Sequence, residues 1–567
     1  MGRLWRTVLI AAVGVTAAAV VAQQAQVRDG TVDVQLLAIN DFHGALEPAS
    51  GGTGRIGTTD AGGIEYLATH VETLKAAQPN TIVVSAGDNI GATPLLSSFF
   101  HDEPTIEALN LAGLQLSALG NHDLDEGWWE LSRIQKGGCH PVDGCQDGTP
   151  YDGARFTYLS ANVTLDPRRA DPEMLARAGI QGTDPRPLLP AYAIREVDGV
   201  RIGFIGIVLE ELPAVILPAS IRGLTVGPEA DGANAAARAL RAQGVRTIVV
   251  LMHEGGDQAG GGINTCSHIS ADLVRVVERM SDDIDVVVSG HSHQSYNCTI
   301  DGKLVTSAAS SGRLITDIDL RIRRSDGDVE AKSARNLVVT RDVGKDAAQT
   351  ALISRYRPAA EALSNRVVGS ITATLSRTTN PAGESSLGDV VADALLDAAR
   401  ETPGANPDLA IWNPGGIRTD LVAEPGRDST PVTFGQAFSV LPFGNELIVK
   451  TVTGKVLLQM LEDQFGPERA RIMQVSNGFS YAYDPSRPRG GRILRDSVRI
   501  QDRPLELSKG YRLATSNFLW DTGDGMAALA QGTDPLLVGI DYELFASYLS
   551  RRSPIRPGPQ NRIRFSR

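Results

Sequence analysis

Short apolar runs that each end in a polar cluster recur through the N-terminal half of this chain. Continuous apolar runs of this length favour strands buried on both faces, as in a sheet covered by helices. Helical periodicity lies between them, for example at 64–77 and 271–280. The sequence therefore predicts an α/β or α+β layered domain, a class that binds ligands at strand ends. The predicted strands are 34–39, 81–85, 116–119, 202–208, 247–252 and 284–288.

The pattern changes near residues 326–366, and 567 residues are too many for a single hydrophobic core. A polar stretch precedes a predicted helix at 346–365, which we expect to be an exposed link between two domains. The second domain should begin near Val367. Its predicted elements are a helix at 387–400, strands at 409–412 and 446–452, and a helix that Thr453 caps.

The net charge of −12 gives no electrostatic reason to expect nucleic-acid binding, because phosphate backbones attract basic surfaces. Metal ions or local arginines can still reverse the field at one site and attract a small anion. We therefore expect no nucleic-acid partner.

Residues 1–26 have the features of a signal peptide. Arg3 and Arg6 form a basic region, 8–21 is almost wholly apolar, and 22–26 offers small residues for cleavage. An uncleaved anchor is the alternative, but the apolar run is short for a span of about 20 residues. No cysteine lies near the cleavage region, and the C-terminal residues 561–564 carry no hydrophobic tail. We expect a secreted or loosely envelope-associated protein without a transmembrane anchor.

The four cysteines fit an oxidising compartment. Cys139 and Cys145 flank a short polar loop, and Cys266 and Cys298 bracket a longer segment, so two local disulfides are expected among three possible pairings. A structural zinc site is the alternative, and the lack of a C-x-x-C pair counts against it.

The polar clusters of the N-terminal half combine Asp, Asn and His without a thiolate, which suits Mn²⁺, Zn²⁺, Mg²⁺ or Ca²⁺. A single D-x-H match carries little weight, but five clusters, each behind a predicted strand, argue against chance. Five of the nine histidines lie in them. The other four, His70, His101, His140 and His268, show no metal-ligand context. The clusters are 41–43, 87–89, 120–123, 253–254 and 290–293.

In this order the clusters resemble those of calcineurin-like metallophosphoesterases. With two later clusters, 413–418 and 517–525, they resemble the 5′-nucleotidase family over nearly the whole mature chain. That family includes periplasmic UDP-sugar hydrolases and animal ecto-5′-nucleotidase. The resemblance implies a four-layer metallophosphoesterase sandwich at 32–335, a linker with a helix at 336–366, and a smaller α/β substrate-binding domain at 367–567.

The resemblance also implies two divalent ions about 3.5–4 Å apart. Zn²⁺ or Mn²⁺ is expected first, and Mg²⁺, Ca²⁺ or Co²⁺ would also fit. A water shared by the ions would become hydroxide near neutral pH and attack phosphorus in line. Some relatives carry Gln or Asn in place of His293, which could alter the metal preference. The implied ligands are Asp41, His43 and His293 for one ion, Asn121, His253 and His291 for the other, and Asp88 as the bridge.

His122 and Asp125 resemble the catalytic dyad of the family. The imidazole would contact a phosphoryl oxygen, stabilise charge in the transition state and protonate the leaving group, while the aspartate fixes its tautomer. The alternative for Asp125 is that it caps a helix predicted at 126–134.

The later clusters match the substrate-binding residues of the family. Asn413 would contact the base, Arg418 the phosphate and Asp524 the ribose, while Phe443 and Phe518 would sandwich the nucleobase. Core packing is the alternative for both phenylalanines. Arg377 is the nearest candidate for a further phosphate-binding arginine, although its spacing to Glu384 leaves the match open.

These features predict an exported two-metal phosphohydrolase that converts nucleoside 5′-monophosphates to nucleoside and phosphate, as a monomer or weak dimer. The alternatives are a 2′,3′-cyclic-nucleotide phosphodiesterase with 3′-nucleotidase activity, a UDP-sugar hydrolase, and a non-catalytic nucleotide-binding or adhesion protein. A site shared between two domains also predicts that the domains rotate during turnover.

Overall fold

The computed structural model describes residues 30–49, 51–466 and 470–565. The signal peptide predicted at 1–26 lies outside the described residues. Across the part of the chain that the structure describes, no helix is both long enough and apolar enough to cross a membrane.

Two six-stranded sheets form the centre of the N-terminal domain. Alternate residues of each strand point to opposite faces, so Leu36 and Val84 of the first sheet pack between the sheets against Phe204 and Leu251 of the second. In order across the first sheet, the strands are Val329–Val338, Leu314–Arg323, Thr31–Ile39, Thr81–Ser85, Leu114–Ala118 and Thr157–Leu159. In order across the second sheet, they are Ser295–Ile300, Lys303–Ala308, Val286–Ser289, Thr247–His253, Val200–Val208 and Tyr192–Val197.

Helices cover the outer face of both sheets, which completes the predicted four-layer sandwich. Leu37 and Val83 pack outward against Leu67 and Val71 of one helix, and Val250 packs against the helices of the opposite layer. The helix at 64–77 and the strand at 81–85 have the predicted bounds. The helices are Ile64–Ala77, Leu95–Ser98, Glu103–Ala112, Trp128–Lys136, Pro172–Ala178, Glu229–Ala242 and Ala271–Glu278.

The helix between the domains, Ala347–Ser364, is not the exposed link that its polar surroundings predicted. Leu352, Ile353 and Tyr356 are buried in the core of the N-terminal domain. The Tyr356 ring lies 4.8 Å from that of Phe100, measured between centroids. The apolar stripe of this helix is thus docked on the N-terminal domain, and its opposite face meets solvent.

The C-terminal domain is built on a mixed five-stranded sheet with helices on both faces. Val391 and Leu395 pack against Trp412 on one face, and Leu457 packs against Ile411 on the other. Thr453 caps its helix as predicted, since its side chain accepts a hydrogen bond from the Val456 amide. In order across the sheet, the strands are Gln474–Val475, Leu409–Trp412, Gly510–Ser516, Glu446–Thr453 and Thr533–Ile540. The helices of this domain are Ser386–Glu401, Phe434–Val440, Gly454–Asp463, Asn517–Trp520 and Asp541–Arg552.

Both predicted disulfides are present, joining Cys139 to Cys145 and Cys266 to Cys298. These pairs account for all four cysteines of the chain, so none remains for a thiolate zinc site.

Candidate metal centre and substrate cleft

The chelating clusters converge because they follow parallel strands. Thr31–Ile39, Thr81–Ser85 and Leu114–Ala118 run parallel in the first sheet, and Thr247–His253 and Val286–Ser289 run parallel in the second. Their carboxyl ends point the same way within each sheet, so the five loops meet at one edge of the sandwich. Seven side chains face one another there, namely Asp41, His43, Asp88, Asn121, His253, His291 and His293.

Asp88 occupies the middle of this group. Its Oδ2 lies 3.6 Å from His43 Nε2 on one side and 3.1 Å from His253 Nε2 on the other. Burial would raise the pKa of Asp88, but His253 and His122 beside it hold that pKa well below its usual range. A carboxylate between two groups of nitrogen ligands is the arrangement that a bridge between two cations requires.

The remaining donors lie on either side of Asp88. On one side, His293 Nε2 is 3.1 Å from His43 Nε2 and 3.3 Å from Asp41 Oδ1. On the other, Asn121 Oδ1 is 3.1 Å from His253 Nε2 and 3.0 Å from His291 Nδ1. Four imidazoles with carboxylate and amide oxygens, and no thiolate, form a donor set that fits two hard or borderline divalent ions.

Two of the imidazoles are held in a fixed orientation by main-chain carbonyls. His43 Nδ1 lies 2.9 Å from Gly91 O, and His253 Nδ1 lies 2.8 Å from Ala86 O. A carbonyl accepts but cannot donate, so each Nδ1 carries the proton and each Nε2 presents its lone pair to the centre.

The backbone at the site is strained in a consistent way. Five of the seven chelating residues have φ between 46° and 67°, a region that residues other than glycine rarely adopt: Asp41, His43, Asp88, His291 and His293. Close approach also requires glycine at position 120, because a Cβ there would lie 2.1 Å from Asp88 Oδ1. Such strain is typical of functional sites, where tertiary contacts compensate it.

Asp123 positions two of these loops, a role that the sequence did not reveal. Its carboxylate accepts hydrogen bonds from the amides of Asp88, Asn89 and Ile90, from the Gly120 amide and from the Tyr158 hydroxyl. The only sequence signal for this role was that Asp123 is the last residue of the G-N-H-D cluster at 120–123. Three of the four amide partners, at 88–90, lie in the loop behind a different strand, so only the folded chain shows what this carboxylate does.

His122 lies beside the proposed bridge without belonging to the chelating group. Its amide donates to Asp88 Oδ1 at 2.8 Å, and its Nδ1 lies 3.1 Å from both carboxylate oxygens of Asp125. Burial would lower the pKa of His122, but the carboxylates of Asp125 and Asp88 raise it above its usual value. The helix that follows begins at Trp128 with Gly127 as its N-cap, so the capping alternative for Asp125 is wrong.

Arg418 reaches the metal centre from the other domain. Its Nη2 lies 3.2 Å from His43 Nε2, and its backbone carbonyl accepts a 2.7 Å hydrogen bond from Arg377 Nη1. Burial and the charge of Arg377 lower the pKa of Arg418 to about 10. Two arginines therefore stand together at the edge of the chelating group, where they can neutralise an anion.

Phe443 also crosses the domain boundary. Its ring centroid lies 5.3 Å from that of His122, with 29° between the ring planes, and the Arg418 guanidinium lies 5.6 Å from the Phe443 centroid. Phe443 also lines a cavity of about 960 Å³ between the domains, together with Phe99, Phe434 and Tyr542. The Phe443 side chain is thus not part of a closed core.

The other predicted substrate residues lie just before the turn Pro414–Gly416, in the short helix Asn517–Trp520 and in the turn Gly523–Gly525. Asn413 is buried before the turn Pro414–Gly416. Phe518 packs against Gly523, where an added Cβ would lie 2.5 Å from its ring. Asp524 has a φ of 54° and lies 3.5 Å from Arg471 Nε, and Arg471 in turn lies 3.8 Å from Glu211 of the N-terminal domain. Arg471 is a cross-domain contact that no sequence motif indicated.

Comparison with known proteins agrees with this architecture. A family described as calcineurin-like phosphoesterase matches residues 34–295, and a family described as 5′-nucleotidase, C-terminal domain, matches residues 367–531. The 5′-nucleotidase precursor from Thermus thermophilus, a solved structure, is 26% identical with a TM-score of 0.76, over 94% of this chain and 99% of that chain.

Two curated relatives are similar over almost the whole chain. The cell wall protein Lmo0130 of Listeria monocytogenes is 31% identical over 553 residues, which are 93% of this chain and 68% of that protein. The endonuclease YhcR of Bacillus subtilis is 30% identical over 544 residues, 94% of this chain. The match covers 41% of YhcR, so this chain spans less than half the length of that relative.

Proposed function

The chain belongs to the 5′-nucleotidase family of calcineurin-like phosphoesterases, which are hydrolases with a dinuclear metal site, and from that premise we propose that it hydrolyses nucleoside 5′-monophosphates to nucleoside and phosphate. One observation carries the proposal: Asp88, His122 and Arg418, from both domains, surround the same small space. A bridging carboxylate, a proton donor and an anion-binding cation are the groups that hydrolysis of a phosphate monoester needs.

Seven residues would hold the two ions. Asp41, His43 and His293 would bind one, Asn121, His253 and His291 the other, and Asp88 both. Zn²⁺ or Mn²⁺ is favoured by the mixture of nitrogen and oxygen donors. Bound ions of this kind supply Lewis acidity and lower the pKa of a water nucleophile.

His122 and Asp125 would act on the phosphoryl group and its leaving group. Asp125 orients the imidazole by accepting from Nδ1, which turns Nε2 toward the substrate. A protonated His122 can stabilise the charge that develops on phosphoryl oxygens and deliver a proton to the departing 5′-oxygen.

The C-terminal domain would bind the nucleoside. Arg418, supported by Arg377, would neutralise the phosphate. Phe443 and Phe518 would stack on the base, Asn413 would contact its edge and Asp524 would accept from the ribose hydroxyls. Phe443 contacts His122 in this structure, so the position of this base-stacking ring relative to the catalytic histidine depends on how the two domains are arranged.

That contact supports a proposal of domain rotation. The two domains that would rotate are the metallophosphoesterase domain at 32–335 and the substrate-binding domain at 367–567, joined by a linker at 336–366. With the linking helix docked on the N-terminal domain, the hinge would follow this helix, near residues 365–367. An open form would exchange nucleotide and nucleoside, and a closed form would bring Arg418 to the metals.

We place the enzyme outside the cytoplasm, as a monomer or weak dimer. The signal-like segment at 1–26 supports export, and so do the two disulfides. The similar Listeria protein is a cell wall protein by name, and the similar Thermus protein is described as a 5′-nucleotidase precursor. The nucleoside released outside the cell would be available for import.

The decisive experiment compares substrates. Purified mature protein is incubated with AMP, 2′,3′-cyclic AMP or UDP-glucose, with and without a chelator, and phosphate and nucleoside are measured. We expect the highest kcat/KM for AMP and loss of activity with the chelator. Preference for the cyclic nucleotide or for UDP-glucose would replace the proposed substrate with one of the two alternatives. Absence of chelator-sensitive hydrolysis of all three would favour a non-catalytic binding protein.

A further inference from the structure

A second group of metal-ligating side chains lies outside the centre described above. The prediction that four histidines lack metal-ligand context is wrong for two of them, because His101, Glu126 and His140 present ligand atoms that all lie within 4.8 Å of one another. Asp143 contacts this group, with Oδ2 at 2.9 Å from His101 Nε2 and 3.3 Å from His140 Nδ1. Glu126 lies at the other ring nitrogen of His101, Nδ1, so the two carboxylates hold this imidazole from opposite sides.

Three separate segments deliver these side chains. His101 follows the helix Leu95–Ser98 and has a φ of 50°. Glu126 is adjacent to Asp125 and contacts His101 Nδ1 at 2.8 Å. His140 and Asp143 lie in the loop that the Cys139–Cys145 disulfide closes. The Asp143 amide donates to His140 Nδ1 at 3.2 Å, so these two residues are fixed relative to each other.

The imidazoles of this group are largely covered, whereas its carboxylates are half-exposed. The side chains of His101 and His140 are 16% and 7% exposed, whereas those of Glu126 and Asp143 are 44% and 48% exposed. The two imidazoles stack with centroids 3.7 Å apart. Largely covered nitrogen donors beside the half-exposed Glu126 carboxylate leave a path by which an ion can enter from solvent.

We propose that His101, Glu126 and His140 bind Zn²⁺ at a site separate from the dinuclear centre, while Asp143 accepts a hydrogen bond from the other ring nitrogen of His101. Two nitrogen donors and one carboxylate, with water as the fourth ligand, match a tetrahedral zinc site, and a carboxylate bonded to the second nitrogen of a histidine ligand orients that ligand. Ligand bonds of about 2.0–2.2 Å require the donors to approach one another, through tilting of the stacked rings and rotation of the Glu126 carboxylate. An ion here would join the 101, 126 and 140–143 segments, and so brace the loop that carries His122 and Asp125.

The test is the zinc content of the full mature protein, measured by mass spectrometry after equilibration with Zn²⁺ and removal of free metal. Wild type should hold one more equivalent than the His140→Ala and Glu126→Gln variants. Glu126→Gln serves as a second variant because Glu126 is exposed, so that loss of folding does not obscure the result. His268→Ala is the matched control, since His268 also lies close to a disulfide cysteine but belongs to neither metal-ligating group, and it should retain the wild-type content.

A crystal soaked in Zn²⁺ should show an anomalous peak between His101 and His140 at the zinc edge. The same zinc content in wild type and in both variants, without such a peak, would overturn the proposal and leave a hydrogen-bonded cluster around a protonated His101. Because zinc content and diffraction do not depend on turnover, failure of this proposal is distinguishable from failure of the proposed nucleotidase activity.

Discussion

The metal loops and the substrate loops hold their side chains by different physical means. In the N-terminal domain, Asp41, His43 and Asp88 adopt left-handed backbone conformations, and main-chain carbonyls and amides fix the donors in place. In the C-terminal domain, Arg418 and Phe443 reach the same space only across the domain boundary. The metal centre is therefore preorganised within one domain, whereas substrate recognition depends on how the two domains are arranged.

Removing the bridging carboxylate of Asp88 is the strongest test of whether the metal centre is preorganised within one domain. We expect Asp88→Asn to lose most bound metal and to reduce kcat/KM by about a thousandfold or more, because the stabilisation of several kcal/mol that a metal pair supplies is lost. Phosphate release from AMP and metal content by mass spectrometry measure both effects.

Asp152→Asn is the matched control, an exposed aspartate outside both metal-ligating groups. It should leave metal content and kcat unchanged. Full metal content in the Asp88→Asn variant would contradict the bridging assignment and the idea that this half of the site is preorganised for two ions.

His122→Ala separates chemistry from metal binding within the same domain. We expect kcat to fall by about 10²–10⁴-fold, the usual contribution of a general acid, with metal content close to wild type. His268→Ala should behave as wild type. Loss of metal on removing His122 would show that this imidazole is a ligand and not a proton donor.

The contrast between the two halves also explains what the sequence could predict. Apolar runs gave the strand at 81–85 and the strand at 409–412 with their observed bounds, because a buried strand is specified by its own residues. The polar clusters behind these runs predicted a metal site at strand ends, and the family resemblance implied how the clusters divide between two ions. Local patterns were sufficient wherever the governing interaction was local.

Three features could not be predicted from the sequence, because each depends on contacts between distant segments. Asp123 holds amides of a loop that follows a different strand, and His101 meets His140 from a separate segment with no shared motif. The helix Ala347–Ser364 has polar flanks, yet its apolar stripe docks on the first domain. Each depends on which surfaces meet in the folded protein, and one sequence does not contain that information in a local pattern.

Locking the domains tests whether the C-terminal half must move. Thr53 and Thr419 lie on opposite domains with their Oγ1 atoms 3.1 Å apart, so Thr53→Cys with Thr419→Cys should form a cross-domain disulfide in the observed arrangement. We expect turnover of AMP to fall by roughly a hundredfold, because misplacement of a substrate-positioning group has effects of that size. The two single variants should keep wild-type turnover, and wild-type kinetics in the oxidised double variant would exclude the proposed rotation.

The smallest expected effect sharpens the comparison most, because it separates base recognition from phosphate chemistry. Phe443→Ala should weaken binding of AMP by about 1–3 kcal/mol, the usual contribution of one aromatic ring to base stacking, and raise KM with a smaller change in kcat. Phosphate release from ribose 5-phosphate, which has no base, should keep the same KM in wild type and variant. If KM rises equally for both substrates, Phe443 acts through its contacts with His122 and Arg418, and the C-terminal half shapes the catalytic group itself as well as holding the nucleoside.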